Sequence, residues 1–378
     1  MKQFNKSYFW GQLVVLLLVL SGPIFSKPSV EIGGHFFGAM NGFYQSNSSG
    51  SEGKRQQFDY AANVDVLYRL SDKIFGIIQF QGSPGAGSLG FPGEELIVTD
   101  LYLTYITDQN TEFTFGSFDA PFGLQTESLS NNADTFRNPF ILNSLLYSSF
   151  VSAPIGTLNT VGLKIERQYD FGTVVSSVTN GTSESAINTD GNFGTIQRLS
   201  TDKVLEGHHF AVSYMRSNEF QSNPAPNSGF NADFEGIILD WHYSGMDTVM
   251  LKIYSAWLEY GDRNPATEDK VVSWMMEASK EFDGWSLAAR LSSWMPKDDD
   301  GNGAGISSVM PAAGLATSVN GNSPALDQDV IRAQLAVTYP LEDNLLVKTE
   351  VFLDNYKKEV AGSQTDVPGF LISLNMQF

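Results

Sequence analysis

The segment "PGFLISLNMQF", residues 368–378, alternates without a break. Phe370, Ile372, Leu374 and Met376 are apolar, while Ser373, Asn375 and Gln377 between them are polar. A period of two marks a strand with one wet and one apolar face. Chain ends usually fray unless something ties them down, so a strand that runs to Phe378 implies a task for that residue.

Working outward, the same grammar returns across the chain. It appears in "FDYAANVDVLYRL" (58–70), "FEGIILDWHY" (234–243), "TVMLKIYSAWLEY" (248–260), "DVIRAQLAVTY" (329–339) and "NLLVKTEVFLD" (344–354). These runs are long for soluble strands and suit tilted strands that cross a bilayer. The connections alternate in length. Short turns are read at 71–73, 107–110, 170–172, 244–247, 282–284 and 340–343. Long polar or glycine-rich stretches are read at 45–56, 83–96, 126–158, 218–232, 261–269, 296–327 and 355–367. Loops segregated by length predict an all-β, transmembrane antiparallel β-barrel of about 16 strands, with short periplasmic turns and long extracellular loops. A soluble sandwich has no reason to sort its loops in this way. Tyr68, Tyr105, Tyr169, Tyr243, Phe282 and Tyr339 each precede a short turn, and with Phe378 they would form one interfacial girdle. An even strand count requires an eighth strand inside "NFGTIQRLSTDKVLE" (192–206), where the alternation is poor.

Residues 1–26 have the layout of a secretory signal peptide: Lys2 and Lys6, the apolar block Leu13 to Leu20, Gly22-Pro23, and Ser26 at the cleavage point. The other reading, an uncleaved anchor helix, has an apolar block short of the ~20 residues a span needs. Residues 27–378 then form a single barrel domain. The absence of cysteine excludes disulfides, thiolate metal sites and a lipidated cysteine. The net charge of −19, made more negative by loss of the signal lysines, excludes nucleic acid as a partner.

Taken together, the signal, the strand–turn alternation and the terminal "NMQF" resemble Gram-negative outer-membrane porins over the whole mature chain. "GSFDAPFGLQ" (116–125) is similar to a glycine–phenylalanine–proline stretch of several porin families, including phosphate-selective ones. The resemblance implies a passive diffusion channel, often a homotrimer, narrowed by its third outer loop folding inward. It also implies that Phe378 belongs to the signal read by the barrel assembly machinery, and that outer-membrane lipid and lipopolysaccharide surround the wall.

The third long loop, 126–158, carries the apolar "NPFILNSLLY" (138–147), which suits a loop resting on the inner wall. Acidic constriction residues are then Asp119, Glu127 and Asp134, with Arg137 in the same loop. Phases that put large aliphatics toward lipid send Lys164, Lys252, Arg290, Arg332 and Lys348 to a basic pore wall, with Glu166 and Glu350 beside them. A charge on the lipid side near midplane would cost about 2–4 kcal/mol, which constrains those phases. Loop acids opposite basic residues would set a transverse field.

Excess acid predicts weak cation preference. The lumen phase also receives the aromatics Tyr102, Tyr254, Trp294 and Phe352, with Phe118 a further candidate. They serve either sugar stacking in a carbohydrate-type porin or packing beneath inward loops. Asp298, Asp300 and Asn302 with Gly303 begin like a calcium loop, although Val309 stands where the twelfth-position acid belongs. No other cofactor is implied. His209 and His242 fall on lumen phases and could meet, yet no G-x-S-x-G elbow precedes a helix and no His-Glu-x-x-His pair occurs, so an enzyme is not expected. A non-conducting barrel, acting as adhesin or outer-membrane hydrolase, is the remaining alternative.

Overall fold

Alternating runs expose a full ladder of backbone donors and acceptors on each edge, and lipid offers those groups nothing to bond. Closure is the solution that leaves no edge, and the chain closes. A computed structural model describes residues 28–46, 52–82, 97–123, 138–141, 144–146, 159–180, 193–221, 231–246, 248–262, 269–297, 329–360 and 364–378. The expected signal peptide lies outside them.

Sixteen strands follow in chain order: β1 (Ser29–Ser46), β2 (Glu52–Ser71), β3 (Ile74–Gly82), β4 (Ile97–Ile106), β5 (Thr111–Asp119), β6 (Asn159–Tyr169), β7 (Gly172–Thr179) and β8 (Gly194–Thr201). The second half comprises β9 (His208–Gln221), β10 (Asn231–Met246), β11 (Val249–Asp262), β12 (Asp269–Phe282), β13 (Trp285–Pro296), β14 (Val330–Glu342), β15 (Leu345–Val360) and β16 (Gln364–Gln377). Each strand pairs antiparallel with its sequence neighbours, and β16 closes the barrel on β1.

The seam explains the opening segment. Phe36 stands opposite Met376 and Gly38 opposite Leu374. The ladder runs to the terminal residue: Gly34 N–H donates to the Phe378 carbonyl at 2.9 Å, and Phe378 N–H returns the bond to Gly34 at 3.0 Å. Alternation continues to Phe378 because the end of β16 is an interior strand of a closed sheet.

The outward phase is apolar, with Phe115, Val351 and Leu335 at 70%, 50% and 46% exposure. Tyr105, Tyr169, Phe282, Tyr339 and Phe378 are exposed near the short-turn end, and Phe282 stacks on Trp285 with ring centroids 4.2 Å apart. Tyr68 departs from the expected girdle. It is buried because its ring lies across Gly76 on β3, its register partner, and its hydroxyl donates to the Tyr102 carbonyl at 3.4 Å. A Cβ at Gly76 would sit 2.1 Å from that hydroxyl oxygen, so glycine is required there. Short turns use residues that tolerate positive φ: Gly284, at φ 82, closes the two-residue connection between β12 and β13.

Two connections differ from expectation. The stretches 45–56 and 355–367 read as long loops, yet β1 extends to Ser46, β2 begins at Glu52, β15 extends to Val360 and β16 begins at Gln364. Ladder pairing continues past the apolar band, with Tyr44 opposite Lys54, because strand hydrogen bonding does not need an apolar face once the strand leaves lipid. β8 occupies Gly194–Thr201 within the stretch read for it. Its outward positions Thr195 and Gln197 are polar, which is why its alternation was weak, and Gln197 accepts a hydrogen bond from the Ser176 hydroxyl at 2.6 Å.

Candidate channel interior

Residues 138–141 and 144–146 lie against the inner face of β13–β15. Ile141 N–H donates to Glu350 Oε2 at 2.6 Å, and Leu145 N–H donates to Ser292 Oγ at 3.0 Å. Lys348 Nζ donates to the Asn138 carbonyl at 2.6 Å. The Arg290 guanidinium sits 4.0 Å from the Phe140 ring centroid, a cation–π contact. Two strands, β13 and β15, thus hold one short segment by its backbone, supplying partners for groups that a buried loop would otherwise leave unsatisfied.

Apolar packing completes the seat. Leu145 and Leu146 are 0% exposed and join Phe122, Tyr254, Met275, Trp294 and Tyr356 in the main apolar cluster. Its strand members run from Ile196 on β8 to Val367 on β16, joined by Ala120 and Phe122 just after β5. Phe140 packs separately against Ala288 and Ala336. A barrel core is ordinarily polar and wet; here the β8–β16 part of the interior is filled by protein.

Charges under this cover come in cross-strand pairs. Arg332 on β14 faces Asp354 on β15 in register, with Nε–Oδ1 at 2.6 Å and Nη2–Oδ2 at 2.7 Å, a bidentate fork with both side chains 0% exposed. Glu277 on β12 stands between Lys252 and Arg290, 3.0 Å from Lys252 Nζ and 2.9 Å from Arg290 Nη2. Arg198 reaches past Ser213 to Asp240 at 2.8 Å. Glu350 additionally accepts from Gln334 Nε2 at 2.8 Å. Removing both members of a buried pair is often neutral, whereas removing one strands the other, so such rows act as registers for neighbouring strands.

The remaining wall, β2–β6, has a different character. Gln79 donates to Asp65 Oδ1 at 2.9 Å, and Asp100 is next to Gln79 in register. Glu112 on β5 faces Glu166 on β6 directly. Lys164 stands one inward position from Glu166, with Nζ 5.6 Å from the Phe118 ring centroid. Asp65, Glu112, Lys164 and Glu166 are half-exposed, unlike their fully buried counterparts across the barrel.

Placing the sequence candidates on this frame sorts them. Lys164, Lys252, Arg290, Arg332 and Lys348 all project inward from strands; Lys252 and Arg290 pair with Glu277, Arg332 with Asp354, and Lys348 bonds the Asn138 carbonyl. Asp119 is the last residue of β5, half-exposed and opposite Asn159 of β6 in register. Glu127 and Asp134 lie outside the described residues, as do Asp298, Asp300 and Asn302. Tyr254, Trp294 and Phe352 are inward and 2%, 2% and 6% exposed, while Tyr102 is half-buried.

His209 and His242 meet in register with ring centroids 5.4 Å apart, and His242 Nε2 is hydrogen-bonded to the Tyr254 hydroxyl. Glu277, Asp354, Asp240, Arg198 and Asp65 were not singled out from sequence. Their inward phase was readable, since Asp354 follows Glu350 and Phe352 at spacing two, but pairing depends on inter-strand register. Among the described residues, no group of His, Asp or Glu is arranged to hold a metal ion.

A closed sixteen-stranded barrel with an apolar outer face, a charged interior and a segment seated inside is the fold of solved outer-membrane porins. Comparison with solved structures agrees. The anion-selective porin from Comamonas acidovorans superimposes with a TM-score of 0.64 at 9% identity, over 93% of this chain and 100% of that one. OmpT of Vibrio cholerae in its trimer form gives 0.60 at 12% identity, over 93% and 100%. OmpF of Salmonella typhi gives 0.59 at 14% identity, over 92% and 97%. At such identities the likeness establishes a shared fold. No protein-family model matches the chain, and no curated protein matches its sequence.

Proposed function

We propose that this chain is an integral outer-membrane channel through which ions and small hydrophilic solutes diffuse passively, with a weak preference for cations. The observation that carries this reading is the inversion of polarity across one wall: aliphatics outward, and acids, bases and amides inward on the same strands. A structural barrel gains nothing from so many desolvated charges, whereas a passage needs polar groups to replace the hydration a solute would lose in lipid. Cation preference follows from the net charge of −19 and from the carboxylates of the half-exposed wall.

The terminal strand carrying Phe378 is the element the barrel assembly machinery would read, and lipopolysaccharide would contact the outward face. A homotrimer is the assembly suggested by the trimer form of the Vibrio cholerae neighbour. A sugar-selecting channel would present its aromatics to solute, and burial of Tyr254, Trp294 and Phe352 weighs against that alternative. The half-buried histidine pair is tied to the wall through Tyr254, and a catalytic role is not part of the proposal.

The test is single-channel conductance and reversal potential of the purified protein in a planar bilayer under a potassium chloride gradient. Stepwise conductance with potassium favoured over chloride supports the reading. Insertion of folded protein without conductance rejects it.

A further inference from the structure

The two sides of the interior are not equivalent, and the difference locates the passage. On β14 and β15 the inward side chains Arg332, Lys348, Glu350 and Asp354 are shut away, at 0%, 1%, 0% and 0% exposure, and Lys348 and Glu350 bond the backbone of residues 138–141. Their charges are also nearly balanced within that patch, base against acid on the next strand. On β2–β6 the inward side chains Asp65, Glu112, Lys164 and Glu166 keep part of their surface open. Among the described residues of this wall, acid exceeds base, with Asp100 adding a further carboxylate in the row of Asp65.

We propose that ions pass off-centre, between the seated loop and the β2–β6 wall, and that the carboxylates of that wall, Asp65 and Glu166 foremost, set the cation preference. This rests on the channel reading above and deepens it. Arg290, Arg332 and Lys348 lie buried on the opposite side, while on the half-exposed wall carboxylates outnumber bases, Lys164 among the latter. A unit charge ~6 Å from an ion in water changes its local concentration by about threefold, since the Coulomb energy there slightly exceeds thermal energy. Salt screens this over about 10 Å at 0.1 M, so low salt shows it best.

The experiment uses Asp65→Asn with Glu166→Gln in the full chain, read by reversal potential at low salt. The expected result is at least a roughly threefold fall in the potassium-to-chloride permeability ratio, with conductance retained. Should the double variant fail to fold, Glu166→Gln alone carries the test. The chain has no cysteine of its own, which permits a second reading. In Glu166→Cys, a sulfonate-bearing thiosulfonate reagent restores the negative charge and should restore the wild-type ratio. In Ala336→Cys, on β14 against Phe140, the same reagent should leave conductance and ratio unchanged.

A conducting protein whose ratio survives loss of both carboxylates overturns this inference alone. So does an Ala336→Cys variant that responds as readily as Glu166→Cys. A folded wild type that never conducts removes the channel reading and this inference with it.

Discussion

Removing the apolar anchors of the seated loop, by Leu145→Ala with Leu146→Ala, should open the channel. Both leucines are 0% exposed and lie among Phe122, Tyr254 and Trp294. Buried Leu→Ala changes cost about 2–5 kcal/mol each. The lower end for two residues is about 4 kcal/mol, close to a thousandfold in the ratio of seated to unseated loop. The polar ties that remain, at Glu350, Ser292 and Lys348, are worth about 1 kcal/mol each net, somewhat more where a charge is involved. They would therefore hold the segment only part of the time.

Single-channel recording should show a larger mean conductance with added open-channel noise, and limited proteolysis should cut near Leu145 where the wild type resists. The barrel itself should remain, because its ladder does not depend on the loop. Conductance, noise and protease resistance all indistinguishable from wild type, in a protein with native strand content, would refute the claim that these leucines seat the loop.

Three further outcomes follow from the same geometry. Asp354→Ala leaves the Arg332 guanidinium buried without its fork and should cost about 3–5 kcal/mol in urea unfolding, whereas Arg332→Leu with Asp354→Leu together should be near neutral. Additive losses would contradict the pairing. Gly76→Val places a side chain where the Tyr68 ring lies, so it should destabilise by roughly 1–3 kcal/mol, and Tyr68→Ala in the same chain should recover part of that loss, as measured by thermal unfolding in detergent. Gly284→Val forces a β-branched residue to φ 82 in a two-residue turn and should cost about 1–2 kcal/mol, while Gly284→Asn should cost less.

Much of this molecule is written locally, and the seam shows why. The alternation of Phe370, Ile372, Leu374 and Met376 states which face meets lipid, because a strand repeats every two residues and lipid rejects polar side chains. Short and long connections likewise state which ends of the strands are joined tightly. Inward phases of Lys252, Arg290, Arg332 and Lys348 follow from the same periodicity. β8 was harder to see, since Thr195 and Gln197 blunt its outward face. The extensions of β1, β2 and β15 were hidden because strand pairing outside lipid leaves no apolar signature.

What the tertiary structure alone decided is who meets whom. The partnership of Arg332 with Asp354, and of Lys252 and Arg290 with Glu277, depends on inter-strand register, to which two distant stretches of chain contribute equally. The seat of Leu145 and Leu146 depends on wall residues drawn from β8 to β16. Which side of the interior is filled and which stays wet is therefore a property of closure: periodicity assigns each residue a face, but only the closed barrel gives that face a neighbour.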